Sequence, residues 1–314
     1  MILTDILLFI LGAALVIFGA DWLVDGASGV ARRFGLSEYV IGATIVGIGT
    51  SMPEFVVSAV AAIKGNADIA IGNVAGSNIF NTLMILGVTA LILPLTFSRS
   101  NFKIDLPACI AVSLLFLLFA IGGKVSRLEG IILFALFVAY IWYNFKQGKG
   151  QPDEDAKEPP MPIWKMIVFI VAGLGGLILG GNLFVDHGVN IAHYLHISEA
   201  VIANTIMAGG TSLPELAVCV VAAAKGREQM AIGNIIGSNI SNILLIIGFS
   251  AAVSPLNVLP VNFISIVAVL ISAVLLMLSA FPLRTLKLER WEGAIFIALY
   301  VGYVLMILHN GAAA

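Results

Sequence analysis

The sequence is poor in charge and in cysteine, and each shortage excludes a class of protein. Only 11% of its 314 residues are charged and 60% are hydrophobic, whereas a soluble globular chain is about 25% charged and about 45–50% apolar. This balance excludes a soluble enzyme, a disordered tail and a nucleic-acid binder. The 16 Lys and Arg and 18 Asp and Glu form no basic block that could meet a phosphate backbone. Cys109 and Cys219 lie in apolar runs without metal-ligand spacing, which argues against a disulfide framework and a zinc site.

Long apolar runs dominate the chain, whose mean hydropathy is +1.06. A membrane-spanning helix needs about 20 apolar residues, and these runs lack the alternation of barrel strands. The sequence therefore predicts an all-α polytopic membrane protein. No Lys or Arg precedes Arg32, so the first run lacks the basic start of a signal peptide and is expected to be retained. The ten predicted spans are 2–26, 38–63, 69–93, 104–122, 128–146, 163–189, 198–224, 229–253, 260–281 and 291–309.

A single polar stretch, residues 147–162, divides the spans into two groups of five. We therefore predict a first five-helix repeat at 1–146, a cytoplasmic linker at 147–162 and a second five-helix repeat at 163–314. With the N-terminus outside, 13 basic residues fall in cytoplasmic loops and three, Lys64, Lys124 and Arg127, fall in external loops. Basic residues concentrate in cytoplasmic loops of membrane proteins. The bias predicts that both termini are outside and the linker is cytoplasmic.

The two halves are related by an internal repeat at a constant offset of 161 residues. Segments 49–82 and 210–243 share 20 identities in 34 positions without a gap, including the motifs GTSxPE and GNxxGSN in each half. Because each half has an odd number of spans, the second half must enter the membrane from the opposite side. Inverted repeats are typical of secondary transporters, whose substrate site lies near the midplane. Channels can also carry such repeats, so this pattern alone leaves both classes open.

Two acidic residues, Glu54 and Glu215, occupy equivalent positions in the middle of predicted spans. A charged residue at the centre of a membrane helix costs about 2.5–3.5 kcal/mol on insertion scales. One alternative is a purely structural pair of protonated glutamates in interhelical hydrogen bonds. The recurrence of both acids inside the same motif favours a functional role.

Hydroxyl and amide side chains accompany both acids at helical spacing. Thr50 and Ser51 precede Glu54 by four and three residues, and Ser77 precedes Asn81 by four on the next span. Hard cations such as Ca²⁺ prefer oxygen ligands of these kinds, although Ser and Thr alone often only pack membrane helices. The sequence therefore predicts a cation site made of two carboxylates, two amides and six hydroxyls. Its members are Glu54, Glu215, Asn81, Asn242, Thr50, Ser51, Ser77, Thr211, Ser212 and Ser238.

Prolines precede both glutamates directly and predict a break in each helix. Pro53 and Pro214 cannot donate a backbone hydrogen bond, and each ring clashes with the carbonyl four residues back. Freed carbonyls at membrane depth need a partner or a water-lined cavity, and we predict that carbonyls near Gly47 and Ala208 bind the cation. The alternative is an ordinary proline kink satisfied by Ser or Thr. The spacings Gly72-x-x-x-Gly76 and Gly233-x-x-x-Gly237 predict close approach of spans 3 and 8 to spans 2 and 7.

These paired motifs resemble the α-repeats of the cation/calcium exchanger superfamily, specifically its sodium/calcium exchanger branch of the prokaryotic type. The resemblance covers essentially the whole chain. It implies a ten-helix exchanger in the plasma membrane that takes in Na⁺ and expels Ca²⁺ at a central site, without a cofactor or a nucleic acid, and as a monomer. It also implies that Glu54 and Glu215 are the principal ligands and that Asn81 and Asn242 close the centre. The hydroxyl ligands of the Na⁺ sites would be Thr50, Ser51, Ser77, Thr211, Ser212 and Ser238.

Some positions of the chain qualify this resemblance. Potassium-dependent relatives, and some potassium-independent prokaryotic ones, carry Asp at the position of Asn242, so the amide argues against potassium co-transport. Proton-coupled relatives tend to carry Gly-Asn rather than Gly-Thr-Ser before the acid, which favours sodium coupling. Ser58 corresponds to Cys219, so the repeats differ one turn beyond the glutamates. The linker is too short for the regulatory calcium-sensing domains of animal exchangers.

Three other functions remain to be weighed against Na⁺/Ca²⁺ antiport. Two buried glutamates could carry protons, which would give H⁺/Ca²⁺ exchange. A cation channel would need a continuous pore with weak multisite binding, whereas the predicted ligands come together in one place. An intramembrane enzyme is disfavoured because the sequence has no Ser/Lys or Asp/Asp catalytic pair and no HExxH motif.

Overall fold

A computed structural model describes residues 2–148, 161–195, 208–281 and 286–312, and these are mostly helical. Eight helices of the described residues are long and apolar enough to cross a membrane, and a broken pair of shorter helices makes up to nine. The protein is therefore an integral membrane protein, as the composition predicted. The predicted seventh span, 198–224, begins outside the described residues, which contain it from Ala208 onward as the helices Ala208–Gly210 and Leu213–Ala224.

The first part of the chain contains six helical segments. Three of them include a π-helical turn, at Gly42–Val46, Phe80–Ile85 and Asn101–Asp105. Such turns widen an α-helix by one residue and often occur at functional sites. The segments are α1 (Ile2–Phe34), α2 (Glu38–Thr50), α3 (Met52–Ile63), α4 (Ala67–Ile79, Phe80–Ile85 and Leu86–Ile92), α5 (Asn101–Ala120) and α6 (Arg127–Gln147).

The second part follows the same order. A π-helical turn recurs at Asn242–Ile247, close to the repeat equivalent of the turn at Phe80–Ile85. Four two-residue strands, which the sequence did not predict, form two antiparallel pairs, Leu95–Thr96 with Lys287–Leu288 and Lys124–Val125 with Leu256–Asn257. The helices are α7 (Ile163–Tyr194), α8 (Ala208–Gly210), α9 (Leu213–Ala224), α10 (Glu228–Val253), α11 (Pro260–Ser279) and α12 (Arg290–Ala312), and the strands are β1 (Leu95–Thr96), β2 (Lys124–Val125), β3 (Leu256–Asn257) and β4 (Lys287–Leu288).

The chain divides into two compact units, each of which takes residues from both halves of the sequence. Unit 1 comprises Met1–Thr50 and Gly148–Asn234, and unit 2 comprises Ser51–Gln147 and Ile235–Ala314. This division follows packing, whereas the predicted boundaries at 146 and 163 follow the sequence repeat.

Unit 1 is built on the pairing of α1 with α7. Glycines make this pairing close, since a β-carbon built on Gly19 would lie 2.7 Å from the backbone nitrogen of Leu177. The rings of Phe9 and Phe184 stack with their centroids 4.2 Å apart. Helix α9 also packs against α1, which positions the second acidic motif within this unit.

Unit 2 is held together by three helix pairs. Helix α12 packs on α4, α11 packs on α5, and the end of α10 packs on α6. The last pair is close because a β-carbon built on Gly130 would lie 2.5 Å from the backbone nitrogen of Ala252. Helices α3 and α4 form an antiparallel hairpin that carries the first acidic motif.

The two acidic helices end in the same way. Gly65 and Gly226, which are repeat equivalents, have φ angles of +81° and +73°, a region that only glycine enters without strain. In each turn the following residue donates to a carbonyl of the last helical turn, Asn66 to Ala61 at 2.9 Å and Arg227 to Ala222 at 2.8 Å. This is the Schellman arrangement, which satisfies carbonyls at a helix end.

The proline prediction is confirmed, but the glycine-stripe prediction is wrong in its detail. The helix that leads to Glu54 is interrupted at Ser51, and Pro53 lies in the first turn of α3, where a missing N–H costs no hydrogen bond. A β-carbon built on Gly76 would meet nothing within 4 Å, so this residue permits no close approach. Gly233 does permit one, but its neighbour is Tyr39 in α2 rather than span 7. Helical spacing fixes which residues share a face but not which helix that face meets.

Candidate functional site

The first acidic motif forms a buried polar site inside unit 2. Glu54 lies in the first turn of α3 and is fully buried. The Ser77 hydroxyl, on α4, donates to Glu54 Oε1 at 3.5 Å. The structure therefore brings together two of the predicted ligands, the carboxylate and the hydroxyl 23 residues later.

Asn73 fixes the backbone of this acidic helix. Its side-chain amide donates to the backbone oxygen of Glu54 at 3.2 Å and to the hydroxyl of Ser58 at 2.9 Å. A carbonyl in the first turn of a helix normally accepts only from within the helix, so the contact ties α3 to α4 where the carboxylate is held. The sequence analysis noted the Gly-Asn pair as part of the repeat but did not include Asn73 among the site residues.

Four asparagines and one threonine form a second polar network in unit 2. Asn81 Nδ2 donates to Asn239 Oδ1 at 3.2 Å, and Asn242 Nδ2 donates to Asn78 Oδ1 at 2.9 Å. These two bonds are equivalent under the 161-residue repeat, and each joins one half of the sequence to the other. Asn78 Nδ2 also donates to the Asn239 backbone oxygen at 3.0 Å. Residues from both repeats thus meet in one network, which includes Asn81 and Asn242.

The network leaves two side-chain oxygens unsatisfied. Asn81 Oδ1 and Asn242 Oδ1 are buried and accept no hydrogen bond from any described residue. An unsatisfied buried polar atom costs about 1–3 kcal/mol, so two at equivalent positions indicate a ligand. Both residues lie on π-helical turns, in Phe80–Ile85 and Asn242–Ile247. An amide oxygen is a suitable ligand for Na⁺ or Ca²⁺.

The second acidic motif forms a corresponding site inside unit 1. Glu215 lies in the first turn of α9 and is 1% exposed. Asn234, the repeat equivalent of Asn73, donates to the Glu215 backbone oxygen at 3.4 Å. The Thr50 hydroxyl lies 3.2 Å from Asn234 Oδ1 and 3.3 Å from the Gly47 backbone oxygen. Glu215 and Thr50 therefore share one neighbour, Asn234, although they come from opposite halves of the sequence.

The two acidic sites differ one turn beyond the glutamate, as the exchange of Ser58 for Cys219 predicted. Ser58 accepts a hydrogen bond from Asn73, whereas Cys219 Sγ lies 3.9 Å from the backbone oxygen of Ala231. The weakly polar thiol of Cys219 thus has a backbone oxygen of the next helix as a neighbour.

The structure places most of the remaining predicted ligands in buried positions. Ser51, Ser212 and Ser238 are at most 2% exposed, and Thr211 is half-buried. The Thr50 hydroxyl donates a hydrogen bond to the Gly47 carbonyl. This contact agrees with the alternative in which a Ser or Thr side chain satisfies the carbonyl freed at the proline kink. The side chain of Ala208 lies outside the described residues.

The second asparagine of the motif GNxxGSN is, in each repeat, a functional candidate that residue-type reasoning missed. Asn78 and Asn239 belong to the two GSN sequences, and both contact predicted ligands directly. Their identity in both repeats was the available signal. They were passed over because spacing along one helix cannot reveal contacts between helices.

Paired buried acids and amide oxygens within membrane helices define a membrane transporter for ions. A family model described as sodium/calcium exchanger protein matches residues 4–146 and 165–309. The chain therefore belongs to the sodium/calcium exchanger family, as the resemblance of its motifs implied.

Individual relatives match between 79% and 98% of the chain. The sodium/calcium exchanger MaX1 of Methanosarcina acetivorans is 32% identical over 98% of this chain and 100% of its own length. The inner membrane protein YrbG of Escherichia coli is 38% identical over 79% of each chain. A solved structure of the sodium-calcium exchanger NCX_Mj, soaked with zero Na⁺ and Ca²⁺, superposes with a TM-score of 0.86 at 34% identity, covering 98% of this chain and 100% of that one.

Proposed function

We propose that the protein is a secondary active antiporter that exchanges Na⁺ for Ca²⁺ across a membrane by alternating access. The observation that carries the proposal is a set of buried oxygens at repeat-equivalent positions. They belong to the carboxylates of Glu54 and Glu215 and to the amides of Asn81 and Asn242, and the two amide oxygens accept no hydrogen bond from a described residue. Relatives over the full length of the chain are named sodium/calcium exchangers.

We propose the predicted residues as the cation ligands. Carboxylates supply the charge that Ca²⁺ usually requires, and neutral hydroxyl, amide and carbonyl oxygens complete a shell of about 6–8 ligands. Neutral oxygens alone suffice for Na⁺, which carries half the charge. The proposed ligands are Glu54, Glu215, Asn81, Asn242, Thr50, Ser51, Ser77, Thr211, Ser212 and Ser238, with the backbone oxygens of Gly47 and Ala208.

A flux assay in proteoliposomes tests the proposed exchange. Ca²⁺ uptake should require Na⁺ inside the vesicles and should persist when a protonophore collapses the pH gradient. Uptake driven by a pH gradient without Na⁺ would establish the H⁺/Ca²⁺ alternative instead. Uptake down the Ca²⁺ gradient that needs no counter-ion would establish a channel.

We further propose ten spans in two inverted five-helix repeats, with both termini outside, in the plasma membrane and as a monomer. The excess of basic residues in the predicted cytoplasmic loops supports this orientation. Lys64 and Lys225 offer a direct test because they are repeat equivalents and both are exposed. In a background without the two natural cysteines, an impermeant maleimide should label Lys64→Cys from outside and Lys225→Cys only from inside. Labelling of both from one side would contradict the inversion.

A further inference from the structure

In the asparagine network of unit 2, a backbone carbonyl determines which way the side-chain amides of Asn78 and Asn242 are turned. The Asn239 backbone oxygen accepts from Asn78 Nδ2 at 3.0 Å, and a carbonyl oxygen can only accept. Asn78 must therefore turn its nitrogen toward Asn239 and its oxygen the other way. That oxygen meets the side chain of Asn242 at 2.9 Å.

The direction of Asn78 decides the direction of Asn242. Because Asn78 presents an oxygen, Asn242 must present its nitrogen, and its own oxygen is turned away. Asn242 Oδ1 is then buried without a hydrogen-bond donor among the described residues. Rotating the Asn242 amide by 180° would not help, because Asn242 Oδ1 would then face Asn78 Oδ1 and the hydrogen bond between the two residues would be lost.

The network has two arms that are equivalent under the repeat, Asn78 with Asn242 and Asn239 with Asn81, and the second arm is held by a different group. Asn81 Nδ2 donates to Asn239 Oδ1 at 3.2 Å, and Asn239 Nδ2 donates to the Thr82 hydroxyl at 2.8 Å. A hydroxyl can donate as well as accept, so it constrains Asn239 less strictly than a carbonyl constrains Asn78. The repeat equivalent of Thr82 is Ile243, which has no polar group. Both arms leave the amide oxygen of Asn81 or Asn242 without a donor among the described residues, but one arm is held by a backbone carbonyl and the other by a threonine hydroxyl.

We propose that Asn78 and Asn239 are positioning residues that orient the amides of Asn242 and Asn81 so that their oxygens face the transported cation. This inference rests on the proposed function, since it assigns the two oxygens to a Na⁺ or Ca²⁺ ion. Asn78 and Asn239 act only through their neighbours: their own polar atoms are used within the network. A misoriented amide would offer the cation an N–H group instead of an oxygen.

A double-mutant cycle on Asn78 and Asn242 separates positioning from structural support. Aspartate has two oxygens and no amide nitrogen, so the side chain of the Asn242→Asp variant offers the cation an oxygen without being oriented, also when the oxygen that faces Asn78 Oδ1 carries a proton. Asn78→Ala should weaken cation binding about fivefold to tenfold in the wild-type background, the effect of one hydrogen bond. In the Asn242→Asp background the same change should cost less than about twofold.

Purified protein in detergent provides the readouts. Calorimetric titration with Ca²⁺ and with Na⁺ measures binding, and the melting temperature without cations measures structural damage. A cavity left by Asn78→Ala should lower the melting temperature equally in both backgrounds. An equal loss of cation affinity in both backgrounds would overturn the proposal, because a purely structural asparagine predicts additivity.

The second arm gives an independent test with a nearly isosteric change. Thr82→Val should weaken cation binding, and the effect should vanish in the Asn81→Asp background. Thr89→Val is the matched control, since Thr89 is equally buried on the same helix and its hydroxyl donates to Ile85 of its own helix at 2.8 Å. Equal losses of affinity for Thr82→Val and Thr89→Val would overturn the role of this arm.

Transport measurements on the same variants distinguish this inference from the proposed function. If the wild-type protein binds Ca²⁺ but shows no Na⁺-dependent flux, the exchange proposal fails, and the binding cycle still decides the role of Asn78. If the wild-type protein exchanges normally and the cycle is additive, only the positioning role fails. With both correct, Asn78→Ala should raise the KM for Ca²⁺ more than it lowers kcat, with the KM effect suppressed by Asn242→Asp.

Discussion

The Ser77 hydroxyl donates to the carboxylate of Glu54 at 3.5 Å, in a part of unit 2 where Glu54 is fully removed from solvent. A carboxylate held in this way can neutralise a cation but is expensive to keep charged without one.

Neutralising either glutamate should abolish Ca²⁺ transport. Glu54→Gln and Glu215→Gln keep the shape of the side chain but remove the charge that Ca²⁺ requires. Glu292→Gln is the matched control, because Glu292 is also buried but receives the backbone N–H of Glu289 at 2.9 Å as a helix cap, which glutamine can replace. Uptake should fall at least about 100-fold in the first two variants and stay near wild type in the third. Wild-type rates in both site variants would contradict the proposed site.

An alanine at Gly233 should destabilise the protein, whereas one at its repeat equivalent Gly72 should not. A β-carbon at Gly233 would lie 2.3 Å from the Tyr39 backbone oxygen, and backbone cannot move aside cheaply. At Gly72 the nearest atom is the Asn262 side-chain oxygen at 3.4 Å. We expect a loss of at least about 2 kcal/mol for Gly233→Ala, a typical overpacking cost, and less than about 1 kcal/mol of either sign for Gly72→Ala. Thermal unfolding in detergent measures both, and similar melting temperatures would refute the difference.

Replacing Asn242 by Asp should make transport depend on pH or admit K⁺. Aspartate cannot donate to Asn78 Oδ1, so an ionised carboxylate at position 242 would face that oxygen at about the present 2.9 Å separation of the hydrogen bond. A proton on the new acid relieves this conflict, so the charge of this carboxyl group, and with it transport, should depend on pH. Na⁺-driven Ca²⁺ flux should be measured across pH with K⁺ replaced by choline on both sides. Wild type should exchange without K⁺, and a wild-type protein that stops under this condition would refute our interpretation of Asn242.

Lys225 should contribute little stability, and only below strongly alkaline pH. Its ammonium lies 2.7 Å from a carboxylate oxygen of both Asp21 and Asp25. Partial burial lowers the pKa of Lys225, but the hydrogen bonds to the two aspartates outweigh it, and the net shift is upward. A raised pKa stabilises the folded state below the unfolded value of about 10.4, and this contribution is lost as pH rises through the higher folded value.

The variant Lys225→Met tests the direction in which the stabilising effect of Lys225 changes with pH. It should lower stability by less than about 1 kcal/mol at neutral pH, because the pair is partly exposed, and the deficit should shrink above about pH 10.4. Lys64→Met is the control, since Lys64 makes no ion pair with a described residue. A deficit that grows with alkaline pH would contradict the assignment.

Local sequence features predicted the membrane helices, the break before each glutamate and the family. These depend on hydrophobicity, on proline's missing N–H and on an exact repeat, none of which requires knowledge of which helices touch. The sequence also predicted that Ser77 approaches Glu54, and the family resemblance implied that Asn81 and Asn242 belong to one centre. The ligand roles themselves stay predictions until ion binding is measured.

Tertiary structure alone decided how the asparagines are paired. Asn73 and Asn234 contact the glutamate backbones, and Asn78 and Asn239 contact Asn242 and Asn81, over separations of 19 to 164 residues. Composition cannot assign such contacts, since an amide can donate or accept and finds its partner only when two helices pack. The glycine motif shows the same limit: a β-carbon at Gly233 would meet the backbone of Tyr39 at 2.3 Å, whereas one at its repeat equivalent Gly72 would meet only the Asn262 side chain at 3.4 Å. A sequence fixes the chemistry and the face of a residue along its helix, and the packing of helices determines what that face meets.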